Sequence, residues 1–377
     1  MGWTDQPGLS GLDKEFRARL EETQSELDWV ESATGSDLIS LACRSLRIDP
    51  TEISKAGERF TAVELGDRSH SELVDSFSSY FPAGTSLAQE LADEVQLRRA
   101  FSDPDPILNI VESRVETAVK KFPREAADLK VGENRGDVLD PFILAANFEL
   151  LSDRSLPRTI ETALSHKVLM KIEDMIGNMH ETVLGAMRGN FRVPEPGRTT
   201  GGSKNVIHPT FNPFPGADIG QVPIDSSPET LRLFQVKNKT GSAKGGDGKR
   251  LGEQLRALSE TYGADTFYVA IVGNTLVGHR SKGAVLRESP RTAVLVGDAA
   301  LQEMTRSDSG AELLLRVYRR AFKTVAAKMP YDLDPIVSEV SAEFQLIADK
   351  HEDDLVEGWL HVAMGGPQEE QDSRAGK

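Results

Sequence analysis

Two patterns of apolar spacing divide the chain. Through residues 1–135 apolar positions recur at helical intervals, as in DKEFRARLEETQSELDWVESA, where Phe16, Leu20, Leu27 and Val30 share one face. Gly35, Ser36 and Asp37 then offer a cap for the run LISLACRSL. Further helices are predicted at SHSELVDSFSSYF, SLAQELADEVQLRRAF and PILNIVESRVETAVKKF, interrupted by Pro50, Pro82, Gly84, Pro104 and Pro106. A long helix, TIETALSHKVLMKIEDMIGNMHETVLGAM, carries Leu164, Val168, Ile172, Met175, Met179 and Val183 as a buried stripe. Beyond it come short apolar runs of strand length, LRLFQVK, TFYVAIV and TAVLV, with TLVGHR after a Gly273-Asn274 turn. Helical runs RLGEQLRALSETYG, AALQEMTR and GAELLLRVYRRAFKTVAAK alternate with them, and Asp298 is placed to cap the second of these.

This order predicts an α/β fold, a mixed central sheet flanked by helices, preceded by a mostly helical N-terminal domain. The expected boundaries are a helical domain over 1–140, an α/β domain over 141–330, and an acidic helical extension over 331–377 with a disordered tail.

Composition narrows the setting. The chain of 377 residues is 38% hydrophobic and 27% charged, and it has no apolar run long enough to span a bilayer and no secretory leader, so a cytoplasmic location away from membranes is expected. The single cysteine, Cys43, lies in an apolar run and reads as a buried spectator. A net charge of -15 taken alone disfavours a nucleic-acid partner. The distribution reverses that inference. Residues 1–150 hold 16 basic and 29 acidic side chains and residues 331–377 hold 3 and 12, whereas residues 231–291 hold 11 basic and 5 acidic. A basic centre in an acidic chain can bind DNA.

The candidate chemistry lies at that centre, in FPGADIGQVPIDSSPETLRLFQVKNK, residues 214–239. Asp218 closes a Pro-Gly-Ala-Asp turn. In the following strand Leu233, Gln235 and Lys237 line one side while Phe234 and Val236 anchor the other. Phosphodiester hydrolysis needs a metal, a positioned water and a route for its proton, and hard oxygen donors suit Mg²⁺. Asp218 is the natural metal ligand, Gln235 offers an amide oxygen, and Lys237 can orient or deprotonate the water. The seven histidines are scattered, so no zinc cage is expected. His180 reads as a hydrogen-bonded helix residue rather than a direct catalyst. The glycine clusters near 201 and 245 lack the spacing of a phosphate loop.

Pro215-Gly216-Ala217-Asp218 followed by Gln235-Val236-Lys237 on an apolar strand resembles the PD-(D/E)xK nuclease superfamily. With the preceding helix and the Gly-Lys loop and helix that follow, it is similar to the Type II restriction endonucleases of that superfamily over roughly residues 160–300. The resemblance implies a restriction-endonuclease-like core and Mg²⁺-dependent, sequence-specific cleavage of double-stranded DNA to 5′-phosphate and 3′-hydroxyl ends. It also implies a homodimer matched to a palindromic site, and a cognate DNA methyltransferase encoded nearby. The family's middle position is usually Glu or Asp; here it is Gln235, which leaves the site one negative charge short. Glu253, 16 residues after Lys237, and Glu173 or Glu181 on the preceding helix are candidates to supply it. Lys239, Lys244, Lys249 and Arg250 are expected on the DNA backbone, with Arg198 and Lys204 in the loop RTTGGSKNVIHP as further phosphate contacts. A structure-specific repair or recombination nuclease, and a non-catalytic DNA-binding protein in which Asp218 and Lys237 form a structural ion pair, are the competing readings.

Overall fold

A computed structural model describes residues 9, 12, 14–124, 141–194, 212–224, 230–239, 247–273, 276, 281–349 and 356. They form a mixed α/β structure in two compact units, each built from two stretches of chain. One joins Met1–Val111 with Gly177–Arg320, the other Glu112–Ile176 with Ala321–Lys377. The consecutive division 1–140, 141–330 and 331–377 is therefore not how the chain is grouped.

In the first unit, α1 (Lys14–Ser32), α2 (Gly35–Leu46), α3 (Ala62–Gly66), α4 (His70–Ser78) and α5 (Leu87–Ala100) form the helical layer, and α6 (Pro104–Val119) begins here. Their starts are written locally. Thr34 with Asp37, Thr61 with Glu64, and Ser69 with Glu72 each form a reciprocal capping box. The Thr34 hydroxyl and main-chain N–H lower the Asp37 carboxyl below its usual range.

The second unit is centred on α7 (Pro141–Leu150), the first part of α8 (Leu156–Leu184) and α13 (Asp334–Ala348), which bury Leu144, Leu156, Ile160, Leu164, Ile336, Val340 and Phe344 together. Tyr331 adds a hydrogen bond to the Pro123 carbonyl at 3.0 Å.

The sheet belongs to the first unit and runs β1-β2-β3-β4-β5: Asn190–Arg192, Ile219–Gln221, Arg232–Lys239, Asp265–Val272 and Ala293–Val296. The first two pairings are antiparallel and the last two parallel. Parallel neighbours need a crossover, supplied by α9 (Asp247–Tyr262) between β3 and β4 and α10 (Lys282–Glu288) between β4 and β5. The chain then continues through α11 (Asp298–Thr305) and α12 (Gly310–Lys328). Gly297, rather than Asp298, occupies the cap position of α11; Asp298 lies in its first turn and accepts from Gln302 at 3.1 Å. The strand expected at TLVGHR lies outside the described residues except for Leu276.

Long-range packing explains why the N-terminal helices share a unit with the sheet. Phe16 of α1 stacks edge-on to Phe191 of β1 at 5.8 Å and lies 6.0 Å from Phe214. The Phe191 ring fits because its β2 neighbour is Gly220, where a Cβ would come within 2.1 Å of it. The Arg188 guanidinium donates to the carbonyls of Arg98 and Glu26 and lies 4.6 Å from the Trp29 ring. Arg99 joins Asp67 at 3.2 Å and donates to the Thr305 carbonyl. Cys43 is fully buried, and burial pushes its thiol up to about 11, so it is the inert core residue expected. Among the described residues, no helix is long and apolar enough to cross a membrane.

Candidate functional site

The site begins with a turn. The Ala217 N–H donates to the Phe214 carbonyl at 3.0 Å, enclosing Pro215 and Gly216. Gly216 has φ +98, so proline at the first and glycine at the second central position make a type II turn. A side chain at Gly216 would also come within 2.7 Å of Gln254 Cβ, so the turn lies directly against α9.

The next residue, Asp218, is clamped between strands. Its N–H donates to the Phe234 carbonyl at 2.8 Å, and its carbonyl accepts from Val193 at 3.0 Å. The antiparallel register Ile219 to Phe234 sets Asp218 across from Gln235, on one pleat. Asp218 Oδ2 accepts two hydrogen bonds, from Gln235 Nε2 at 2.5 Å and from the Val236 N–H at 2.7 Å. An ionised carboxylate only accepts, so the amide nitrogen of Gln235 must face it.

Lys237 lies two residues along β3, on the same pleat as Gln235. Its register partner in β4 is Ala270, and Tyr268 is the partner of Gln235. The Lys237 side chain is half-buried, and among the described residues it makes no ion pair. Asp218, Gln235 and Lys237 therefore occupy one side of the β2–β3 pair, as the strand alternation predicts.

The three glutamates considered as the missing charge fall elsewhere. Glu253 is exposed and pairs with Lys249 at 3.8 Å. It sits two residues from both Leu251 and Leu255 of the buried stripe, a turn of about 200° on a helix, so it points away from the sheet. Glu181 is taken up by Arg192 at 3.0 Å, and Arg192 is in register with Ile219, on the opposite pleat from Asp218. Glu173 is exposed on the part of α8 that belongs to the second unit. Among the described residues, no group of three or more His, Cys, Asp or Glu side chains is placed to hold a metal.

Of the expected phosphate contacts, Lys249 is exposed and paired with Glu253, and exposed Arg250 lies 3.6 Å from Asp247 and donates to Gln254 Oε1 at 3.2 Å. Arg198, Lys204, Lys244 and the Lys239 side chain lie outside the described residues.

Two residues at the site went unnoticed in the sequence. Gln254, one helical turn after Arg250, packs on the glycine of the Asp218 turn. Asp247 opens α9, and its charge, after burial, helps push the Tyr268 phenol up to about 12. The signal was available in the stripe Leu251, Leu255 and Leu258: Gln254 flanks it, and Asp247 stands beside buried Gly248.

His180 is on the other side of β3. It is buried and lies 2.8 Å from the Tyr318 hydroxyl, the hydrogen-bonded helix residue expected, and burial lowers it to about 4.

No protein-family model matches the chain, and no curated protein matches it significantly.

Proposed function

We propose that the protein is a Mg²⁺-dependent endodeoxyribonuclease of restriction type, cutting double-stranded DNA to 5′-phosphate and 3′-hydroxyl ends. The observation that carries the reading is the grouping of Asp218, Gln235 and Lys237 on one pleat beside a tight turn, with Asp218 held by the Gln235 amide and the Val236 N–H. Seventeen residues separate Asp218 from Gln235 in the chain.

The Asp218 carboxylate, with DNA phosphate and water completing the set, is a hard-oxygen arrangement Mg²⁺ accepts; the Gln235 amide, whose nitrogen faces Asp218 here, would join it by turning its oxygen toward the ion. When bound there the ion would offset charge developing on the phosphate and make water a better nucleophile. The protein's own part is positional and electrostatic. Gln235 and the Val236 N–H hold Asp218 Oδ2 in place. The Lys237 ammonium lies on the same pleat, where it can orient the attacking water in line and offset negative charge in the transition state. Arg250 and Lys249 on the first turns of α9 supply exposed positive charge for the DNA backbone. Palindromic recognition requires a two-fold assembly, so a homodimer belongs to this reading.

Purified protein incubated with plasmid and genomic DNA in Mg²⁺ tests it. Discrete fragments, abolished by Lys237→Ala and by EDTA, are the expected result. Absence of cutting over a range of salt and divalent metals, or undiminished cutting by Lys237→Ala, would overturn it. Cutting confined to junctions, flaps or ends would point instead to a repair nuclease.

A further inference from the structure

The two ends of the sheet are finished differently. β1 is three residues long and carries Arg192, which pairs with Glu181 at 3.0 Å; a short, charged edge discourages further pairing. β5, at the other end, reads Ala-Val-Leu-Val, without proline or charge, and all four residues are half-buried. Among the described residues, β4 is its one strand neighbour.

The edge is held firmly at both ends. Just before it, the Thr292 hydroxyl lies 2.9 Å from that of Thr266 in β4 and donates to Ser289 Oγ at 2.7 Å, while the Thr292 N–H donates to the Ser289 carbonyl at 3.1 Å. Just after it, the Gly297 N–H donates to the Ala270 carbonyl at 2.9 Å. This last bond fixes which groups face outward. A strand residue directs its N–H and C=O to one side, and the side alternates along the strand. Ala293, Leu295 and Gly297 therefore address β4, and Val294 and Val296 present their main-chain groups to the open edge.

A second copy of the same strand fits that edge. In antiparallel pairing about a two-fold axis, residues that exchange hydrogen bonds must face outward in both copies. Val294 opposite itself would call on Thr292, whose N–H is already taken, and Val296 opposite itself would call on Asp298, which belongs to α11. The remaining register sets Val294 against Val296 of the second copy, with Leu295 facing its own counterpart on the axis. It also brings the start of each strand beside the end of the other, where exposed Arg291 of one copy meets exposed Asp298 of the second. The charges are complementary at both ends.

We propose that β5 is a homodimer interface: two copies join by antiparallel β5–β5 pairing into one continuous sheet, flanked by two Arg291–Asp298 pairs. The axis stands perpendicular to the sheet, so both Asp218 and Lys237 pleats fall on the same face, about 24 Å apart across five strand spacings. Lys237 is in register with Ala270, and Ala270 with Val296, so both ammonium groups lie level with the axis. The purpose of the dimer rests on the nuclease reading, which calls for a two-fold assembly; its geometry does not.

Sedimentation of the full chain from nanomolar to high-micromolar concentration, without DNA or metal, tests it. The wild type is expected to be dimeric in the upper part of that range. Val294→Pro removes an outward N–H and keeps the bonds to β4, a change that an edge strand accepts, and it is expected to sediment as a monomer with a nearly unchanged melting temperature. If that variant does not fold, the charges decide. Arg291→Asp and Asp298→Arg should each weaken the dimer on the order of tenfold, and the double reversal should restore it. A wild type that is monomeric throughout, or a dimer indifferent to Val294→Pro and to both charge reversals, overturns the proposal. A dimer that responds as expected but does not cut DNA sustains the interface and removes the nuclease reading, whereas cutting by a monomer does the opposite.

Discussion

The two pleats of β3 treat their polar groups in opposite ways. On one, Arg232 donates to Gln221 Oε1 at 2.9 Å, pairs with Glu303, and lies 4.9 Å from the Phe267 ring, which stacks on Phe234 at 4.5 Å. Its side chain is 12% exposed, and its interactions are of the kind that keep a buried charge in place. On the other pleat, half-buried Lys237 has no ionic partner among the described residues, although Asp218 is fixed two register positions away. A charge saturated by its neighbours serves the fold, while a positioned charge that no described neighbour neutralises is available to something that arrives later.

The sharpest way to break that contrast is to exchange the consequences. Lys237→Ala should abolish measurable cleavage, a loss of at least about 10³-fold, with little change in melting temperature. Arg232→Met should do the reverse. Removing the guanidinium strands the fully buried Gln221 amide oxygen and leaves Glu303 without its pair, costing about 3–5 kcal/mol by the measure of broken buried pairs. Urea unfolding and a plasmid assay on both variants check it. A Lys237→Ala protein that unfolds early, or an Arg232→Met protein that is stable but inactive, would show that the two pleats do not divide these roles.

The pH dependence of stability probes the buried pleat next. The folded His180 value of about 4 lies below the ordinary 6.5 because burial disfavours the imidazolium. Between those values the unfolded chain binds a proton that the folded chain does not. His180 therefore contributes its full stability above about pH 6.5, and the contribution is lost as pH falls toward 4. The loss amounts to roughly 3 kcal/mol. Other carboxyls titrate in the same window, so the quantity to measure is the difference between wild type and His180→Gln from pH 7 to pH 4. A difference that does not change with pH would mean that the imidazole is solvated.

The turn ahead of Asp218 gives a smaller effect. Gly216→Ala introduces a side chain at positive φ and against Gln254, and a cost of about 1–3 kcal/mol is expected. Cleavage should fall with it, because the same turn delivers Asp218 to β3.

How much of this could be read in the sequence depends on distance along the chain. The Pro-Gly turn and the shared pleat of Gln235 and Lys237 were legible, because turn chemistry and strand alternation act over two to four residues. The starts of α2, α3 and α4 are set over the same short range, each by a capping box of four residues, although the cap expected at Gly35 to Asp37 is in fact Thr34 bonded to Asp37 and the short α3 was not expected. The grouping of the chain was not legible. Arg99 reaches the carbonyl of Thr305, 206 positions away, and Phe16 enters the ring cluster of Phe191 and Phe214. No local pattern announces such pairings, so the N-terminal helices read as a separate domain. The placement of Glu253 was different again. Its spacing from Lys237 suggested the site, but the stripe Leu251, Leu255 and Leu258 already turned it outward.

The smallest expected effect bears on the missing charge. Glu253 and Lys249 form an exposed (i, i+4) pair at 3.8 Å, and such pairs contribute little. Glu253→Ala should leave stability within about 0.5 kcal/mol and cleavage within about twofold, because its carboxylate faces away from the pleat that holds Asp218. Parallel cleavage and metal titrations of Glu253→Ala and Asp247→Asn separate the two carboxylates of α9. Asp247 is close enough to raise the phenol of Tyr268, and Tyr268 is in register with Gln235. If the outward face of α9 is silent, weakened Mg²⁺ dependence should follow loss of Asp247 and not loss of Glu253. The opposite result would place the missing charge on the solvent side of the helix and undo the distinction between a pleat that serves the fold and a pleat that serves the site.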